Sequence, residues 1–333
     1  MAWRTPAFWN RKPGLAALTL SPIGAAYGAI AARRMRRQGL RVSKPVICVG
    51  NLTAGGAGKT PTVIALARML RDMGEQPIVV SRGYGGSNVG PVEVEPARQN
   101  AGLVGDEPLE IAVHVRCFVA RDRAAGAKAA IAGGATVILL DDGLQNPSLE
   151  KTLSLAVIDG EVGFGNGYCL PAGPLRAPVA AHKDFVDAVI IIGATENATK
   201  DAAALVDDRY AIFSAAFAPP DSAIQELLGR DVLAFAGIGR PEKFFKTLAA
   251  AGAIVRERVA FADHHSYADA ELRAIAERAA ARGWRPVTTV KDAMRIGDRA
   301  ASIFGGTLVA LPVTLTFEDE AGMRALLRRA LSP

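Results

Sequence analysis

A short apolar run holding Val46, Ile47 and Val49 gives way at Asn51 to LTAGGAGKTPT, and a helix-compatible stretch follows from Thr62 onward. Strand, glycine-rich loop and helix in that order confine a chain to few folds, because such a loop brings main-chain N–H groups around an anion. Glycine carries no Cβ, so the amides between Gly55 and Thr60 can converge, and a helix starting near Gly58 adds the positive end of its dipole. The predicted cradle comprises Thr53, Ala54, Gly55, Gly56, Ala57, Gly58, Lys59 and Thr60. Lys59 would neutralise β- and γ-phosphate charge, and the Thr60 hydroxyl would meet Mg2+. Thr53 stands where the strict pattern G-x-x-x-x-G-K-[ST] has its first glycine.

From Val46 onward, apolar runs at 46–49, 77–81, 116–120, 136–140, 153–158 and 187–193 alternate with helix-length segments. Runs such as TVILL and AVIII between Ala-rich stretches suit a parallel sheet covered on both faces. The fold class is therefore α/β, a P-loop NTPase-like, mostly parallel sheet with helices on both faces. Ligands of such a sheet gather at the carboxyl ends of its strands. FAPPDS at 217–222 breaks the rhythm, and a second series of runs follows at 232–237, 254–260, 286–289 and 307–311. These predict a core over 41–218 and a smaller C-terminal α/β domain over 225–333.

The first forty residues form a third segment. Trp3, Phe8 and Trp9 sit among Arg4, Arg11 and Lys12, and Leu15 to Ala32 carries no charge. That length is near the minimum for a bilayer span, although Pro22, Gly24 and Gly28 interrupt it. Much of the net charge of +6 is local, in Arg33, Arg34, Arg36, Arg37, Arg41 and Lys44. An apolar helix with aromatic and basic flanks fits an anionic membrane surface, and nucleic acid is not the expected partner. The competing reading is a buried N-terminal helix with a solvated basic end. Three cysteines without CxxC spacing fit a reducing compartment and argue against structural zinc.

Acidic and basic residues mark the strand ends. TVILLDDG at 136–143 closes a strand on Asp141 and Asp142, the position from which a phosphate-loop enzyme holds Mg2+. Asp159 ends another strand alone and reads as a turn residue. Asp106 and Glu107 precede the helical run from Leu109, where they either cap that helix or act on substrate. Asp263, His264 and His265 place two of the four histidines beside an acid, suited to taking or orienting a proton. His114 and His182 read as ordinary helix and loop residues. Arg176, in the loop FGNGYCLPAGPLRAP, and Arg82 are candidates to meet phosphoryl charge, against a default surface role.

Taken in order, GNLTAGGAGKTP at 50–61, SRGYG at 81–85, GDEP at 105–108, DDG at 141–143, LPAGPLR at 170–176, FAGIGRP at 235–241, DHH at 263–265 and TTVKDA at 288–293 resemble the tetraacyldisaccharide 4′-kinases of lipid A biosynthesis. The resemblance implies transfer of the ATP γ-phosphate, with Mg2+, to the 4′-hydroxyl of a tetraacylated glucosamine disaccharide 1-phosphate, the lipid A precursor, giving lipid IVA. It implies work at the cytoplasmic face of a bacterial inner membrane, with attachment through the N-terminal helix. Asp106 and His264 map onto the family's general-base dyad. Lys59 and Thr60 map onto phosphates and metal, Asp141 and Asp142 onto the metal region, and Arg176 onto phosphoryl charge. Three positions depart from the family pattern. Leu144-Gln145-Asn146 replaces Phe-Gln-His, Ala177 replaces a frequent Glu, and Val290 replaces an acid. With Ala177 in that place, Asp141, Asp142 or water supplies the metal contact.

Two other classes compete. A membrane-associated ATPase with a deviant phosphate loop carries K-G-G-x-G-K-[ST], and Ala54 stands where that first lysine belongs. A metal-dependent phosphoesterase built on DHH leaves the phosphate loop without a purpose. The sequence does not set the oligomeric state.

Overall fold

Five successive buried residues in β1 (Val46–Gly50) show a strand covered on both faces, as its unbroken apolar run requires. The computed structural model describes residues 6–193, 195–205 and 211–332, so Trp3 and Arg4 of the expected aromatic-basic flank lie outside the described residues. Along the chain follow β2 (Pro77–Ser81), β3 (Val92–Glu93), β4 (Cys117–Val119), β5 (Val137–Asp141), β6 (Leu153–Asp159), β7 (Ala188–Ile192), β8 (Ala211–Ala218), β9 (Asp231–Ala236), β10 (Ile254–Ala260), β11 (Arg285–Thr289), β12 (Val309–Leu311) and β13 (Thr314–Phe317). The larger sheet runs β13-β8-β7-β6-β1-β5-β2-β4-β3 and the smaller β10-β9-β11-β12. Strand β1 is parallel to both β5 and β6, and β3 is antiparallel to β4. Because β1 lies centrally, with β2 beyond β5 on one side and β6 on the other, its carboxyl end is where connections diverge and a crevice opens.

Two compact units divide the chain, one of Thr5–Ala216 with Leu315–Pro333, the other built on Phe217–Thr314. The sequence boundary near 215–230 coincides with this division, but the expected C-terminal domain of 225–333 is shorter by its last segment. Most of β13 and the final helix, Glu320–Leu331, belong to the larger unit. There Glu318 N donates to Ser214 O, and Arg324 bridges to Asp72 at 3.1 Å. The larger core gathers Val46, Cys48, Leu52, Ile78, Ile138, Leu140 and Ile191, among others. The smaller unit packs Val232, Phe245 and Leu248 on one side of its sheet.

Helix α1 (Leu15–Met35) is continuous, although Pro22 and two glycines interrupt its sequence. Pro22 has no N–H to give the carbonyl of Leu18, and Ser21 Oγ donates to that oxygen instead, at 2.8 Å. The glycines are a docking seam. A Cβ at Gly24 would stand 2.7 Å from Cys169 O, and one at Gly28 would stand 2.8 Å from Cys169 Sγ. The opposite side exposes Leu15 at 82%, Ile30 at 71% and Ile23 at 58%. Among the described residues α1 alone is long and apolar enough to cross a membrane. Trp9 differs from its expected place in an aromatic flank: it is buried, and its Nε1 donates to Pro171 O at 3.1 Å.

Candidate active site

Helix α2 (Lys59–Asp72) begins where the loop after β1 ends, and Gly58 at its N-cap has φ 87°. Gly55 has φ 116°, so both positions need glycine for their backbone alone. A Cβ added at Gly55 or Gly56 would meet nothing within 4 Å, so this part of the loop presents an open face. Thr53 is not among the described residues with positive φ. It makes an antiparallel bridge to Leu175, and Ala54 N donates to Pro174 O at 2.7 Å. Strand-like pairing therefore takes the place of the missing first glycine.

Lys59 and Thr60 occupy the first turn of α2 and are both buried. Lys59 Nζ donates to Asn51 Oδ1 at 3.3 Å and lies 3.8 Å from Asp142 Oδ1. Asn51 Nδ2 donates to Gly55 O at 3.2 Å, so one fully buried amide braces both the lysine and the loop. Arg176 reaches the same place from the loop after β6. Its Nε donates to Thr53 O at 3.2 Å, and its Nη1 donates to both oxygens of Asp142 at 2.8 and 2.9 Å. The structure thus brings Lys59, Asp142 and Arg176 together. It also differs from the expectation for Asp142, whose two oxygens serve these cations and make it the weaker metal donor. Burial opposes ionisation of Asp142, yet Lys59 and Arg176 outweigh it and hold the carboxyl below its ordinary range.

Asp141 ends β5 beside Val49 of β1. Ser81 Oγ, at the end of β2, donates to its Oδ2 at 2.9 Å, while its Oδ1 is buried with no hydrogen-bond partner. Burial, then the charges of Glu107 and Asp142, pushes Asp141 up to about 7. A buried, half-satisfied carboxylate near a phosphate loop is chemistry that a hard, oxygen-seeking cation such as Mg2+ repairs, so Asp141 and Thr60 fit that ion. Among the described residues no three His, Cys, Asp or Glu side chains cluster as a ready-made metal nest.

Helices α3 (Ala101–Val104) and α4 (Asp106–Ala112) meet at Gly105, φ 93°. Gly105 holds the N-cap position, so Asp106 is the first helical residue and not the cap. A Cβ at Gly105 would stand 2.5 Å from Tyr84 O, which shows how closely this corner packs on the turn after β2. Asp106 is therefore carried on a corner set against the loop that leaves Ser81. Arg82 is exposed in that turn.

In the smaller unit His264 follows β10 with φ 56°, and its N–H donates to Gly237 O at 3.1 Å. Arg295 Nη2 lies 3.3 Å from His264 Nδ1, and Arg295 Nη1 also bonds Gly237 O and the buried Asp292. Gly237 N donates to Asp292 Oδ2 at 3.0 Å, so FAGIGRP, DHH and TTVKDA form one cluster at the carboxyl ends of β9 and β11. Val290 needs no acid for this, because Asp292 and Thr289 make the contacts. His265 stacks on Phe261 and bonds Glu271 at 2.9 Å, a packing role.

Several site residues escaped the sequence. Helix α5 (Arg123–Ala132) starts with the buried Arg123, whose Nη2 donates to Asp141 O at 3.0 Å. Asn51, Gln145 and His182 also converge on the phosphate loop. His182 is fully buried, not an ordinary loop residue. Their signal is burial, which no residue spacing announces.

A family model described as Tetraacyldisaccharide-1-P 4′-kinase matches residues 16–332. A tetraacyldisaccharide 4′-kinase of Rhodopseudomonas palustris (strain BisB18) is 49% identical over 322 residues, 96% of this chain and 94% of that protein. One from Methylobacterium sp. (strain 4-46) is 50% identical over 331 residues, 98% of each. The crystal structure of LpxK from Aquifex aeolicus in complex with ATP superposes with a TM-score of 0.73 at 25% identity, covering 96% of this chain and 100% of that one. The strand order, the phosphate loop and these likenesses agree: the chain belongs to the tetraacyldisaccharide-1-P 4′-kinase family.

Proposed function

We propose that this chain transfers the γ-phosphoryl group of ATP to the 4′-hydroxyl of a tetraacylated glucosamine disaccharide 1-phosphate. The reading is carried by the convergence of Lys59, Arg176 and Asp142 on the open glycine loop, in a chain matched to this kinase family over nearly its whole length. The loop amides from Gly55 to Thr60 and the Lys59 ammonium bind the triphosphate. Arg176, a planar and permanent cation, stabilises charge on the group in transfer. The substrate's 4′-oxygen attacks the γ-phosphorus, the bond to the bridging oxygen breaks, and ADP leaves. The hydroxyl proton passes to the Asp106 carboxylate, and the family resemblance gives His264 a part in that proton transfer. Thr60 and Asp141 would hold Mg2+, which when bound would neutralise phosphate charge.

Support for Asp106 as base is its place on the corner that packs against the turn after β2, next to Glu107, whose charge acts on Asp141, with Gly105 filling the cap position it would otherwise serve. Support for His264 is its Arg295 contact: an arginine only donates, so Nδ1 accepts and the ring proton sits on Nε2, 3.9 Å from Asp263 Oδ1. The exposed apolar side of α1 and the basic cluster after it support attachment to the inner face of the membrane. Incubation of the purified protein with Mg2+, γ-labelled ATP and the disaccharide precursor should label the glycolipid. Label that appears only as free phosphate would favour a membrane ATPase, and label that stays in ATP would overturn both readings. Asp106→Ala should lose turnover by at least about a hundredfold and little ATP affinity. Equal losses in both would make Asp106 a structural residue.

A further inference from the structure

His182 closes the short helix Val179–His182, two turns of chain beyond Arg176, and no part of it is exposed. Its Nδ1 lies 3.0 Å from Pro178 O, and its Nε2 lies 3.0 Å from Gln145 Nε2. The proton positions follow from the partners. A main-chain carbonyl only accepts, so Nδ1 carries the hydrogen, and the Gln145 amide nitrogen only donates, so Nε2 is bare. The Gln145 orientation is fixed in the same way, because its Nε2 also donates to Asn51 O at 2.8 Å. Burial pushes the imidazole down to about 4, which keeps this neutral tautomer at physiological pH.

The chain of bonds continues into the site. Asn51, with its carbonyl held by Gln145, accepts from Lys59 Nζ at Oδ1 and donates from Nδ2 to Gly55 O. On its other side His182 fastens the carbonyl of Pro178, two residues past Arg176, whose guanidinium spans Thr53 O and Asp142. Both cations that face the phosphate loop are thus tied to one imidazole, by two different routes. We propose that His182 is a positioning residue for phosphoryl transfer, fixing Lys59 through Gln145 and Asn51 and fixing the Arg176 segment through Pro178. It touches neither nucleotide nor sugar. This inference rests on the reading of Lys59 and Arg176 as phosphate-facing groups.

Full-length protein carrying His182→Leu loses both bonds while keeping an apolar side chain of similar bulk. Its KM for ATP should rise about five- to tenfold and its kcat fall at least tenfold, in protein that still melts cooperatively. His182→Gln offers one acceptor and one donor and should recover most of the loss. A folded Leu variant with wild-type constants, or a Gln variant as poor as Leu, would overturn the proposal. Gln145→Leu cuts the route to Asn51 while leaving the His182 side chain and its bond to Pro178 O in place, and should raise the KM for ATP similarly. It also gives the test a footing should His182→Leu fail to fold. The ring 15N spectrum of His182 should show a bare Nε2 in the wild type and a shifted Nε2 resonance in Gln145→Leu, and an unchanged resonance would overturn the contact. Lys59→Ala separates the two levels. If it retains ATP affinity, the phosphate reading fails. If it loses affinity while His182→Leu does not, this inference alone fails.

Discussion

Lys59 is flanked by an amide oxygen at 3.3 Å and a carboxylate at 3.8 Å, and both leave ammonium protons for a third acceptor. Lys59→Ala should therefore weaken ATP binding by about tenfold or more, roughly 1.4 kcal/mol, and lower turnover further, as titration calorimetry beside a transfer assay will show. His182 offers a prediction on stability. Its folded value of about 4 lies below the ordinary 6.5, so between these limits the unfolded chain binds the extra proton. Stability then falls as pH drops from about 6.5 towards 4, by about 3 kcal/mol in full if this group acted alone. Denaturation midpoints at pH 7 and pH 5 should differ less in His182→Gln than in the wild type. The cradle residues Gly55 to Thr60 and the carboxylate at Asp141 were legible because phosphate chemistry restricts which residues serve there. Asn51, Gln145 and His182 were not, since an amide or imidazole becomes a brace only when chain segments far apart in sequence bury it.

At the scale of elements, long aliphatic strands were readable and weak ones were not. AVIII of β7 declares itself, whereas β8, AIFSAAFA, is mostly alanine and serine, and β3 is two residues long. Neither gives a run that exceeds a loop in β character. Helix α1 hid its continuity behind Pro22, because the compensating Ser21 hydroxyl is a contact within one turn that hydropathy does not register. Its glycine seam yields a sharp test. Gly24→Ala puts a methyl 2.7 Å from a main-chain oxygen, which cannot rotate away, and should cost about 1 to 3 kcal/mol. A melting temperature equal to the wild type would show that α1 sits less closely on Cys169 than the structure has it.

For the whole molecule, the return of Leu315–Pro333 to the larger unit could not be read from periodicity, because a helix pattern does not say which sheet it will cover. One consequence is that the smaller unit is an insertion, entered and left by the paired strands β8 and β13. Deletion of residues 1–36 should release the protein from anionic vesicles, while adding salt to the intact protein should weaken binding through Arg33, Arg34, Arg36 and Arg37 without abolishing it. Sedimentation with vesicles of graded anionic content measures both. The truncation should also lower melting temperature, since it strips Trp9 and the glycine seam from the loop at 165–178.

That seam makes the apolar rod and the arginine that grips Asp142 parts of one solid piece. Cys169, Ala172 and Pro178 rest on the rod, and Arg176 lies between them in sequence, so no slack hinge separates exposed apolar face from guanidinium. Were the rod immersed in lipid as proposed, its depth would set the height at which the arginine waits, and a sugar lifted too far from its acyl tails would pass above its reach.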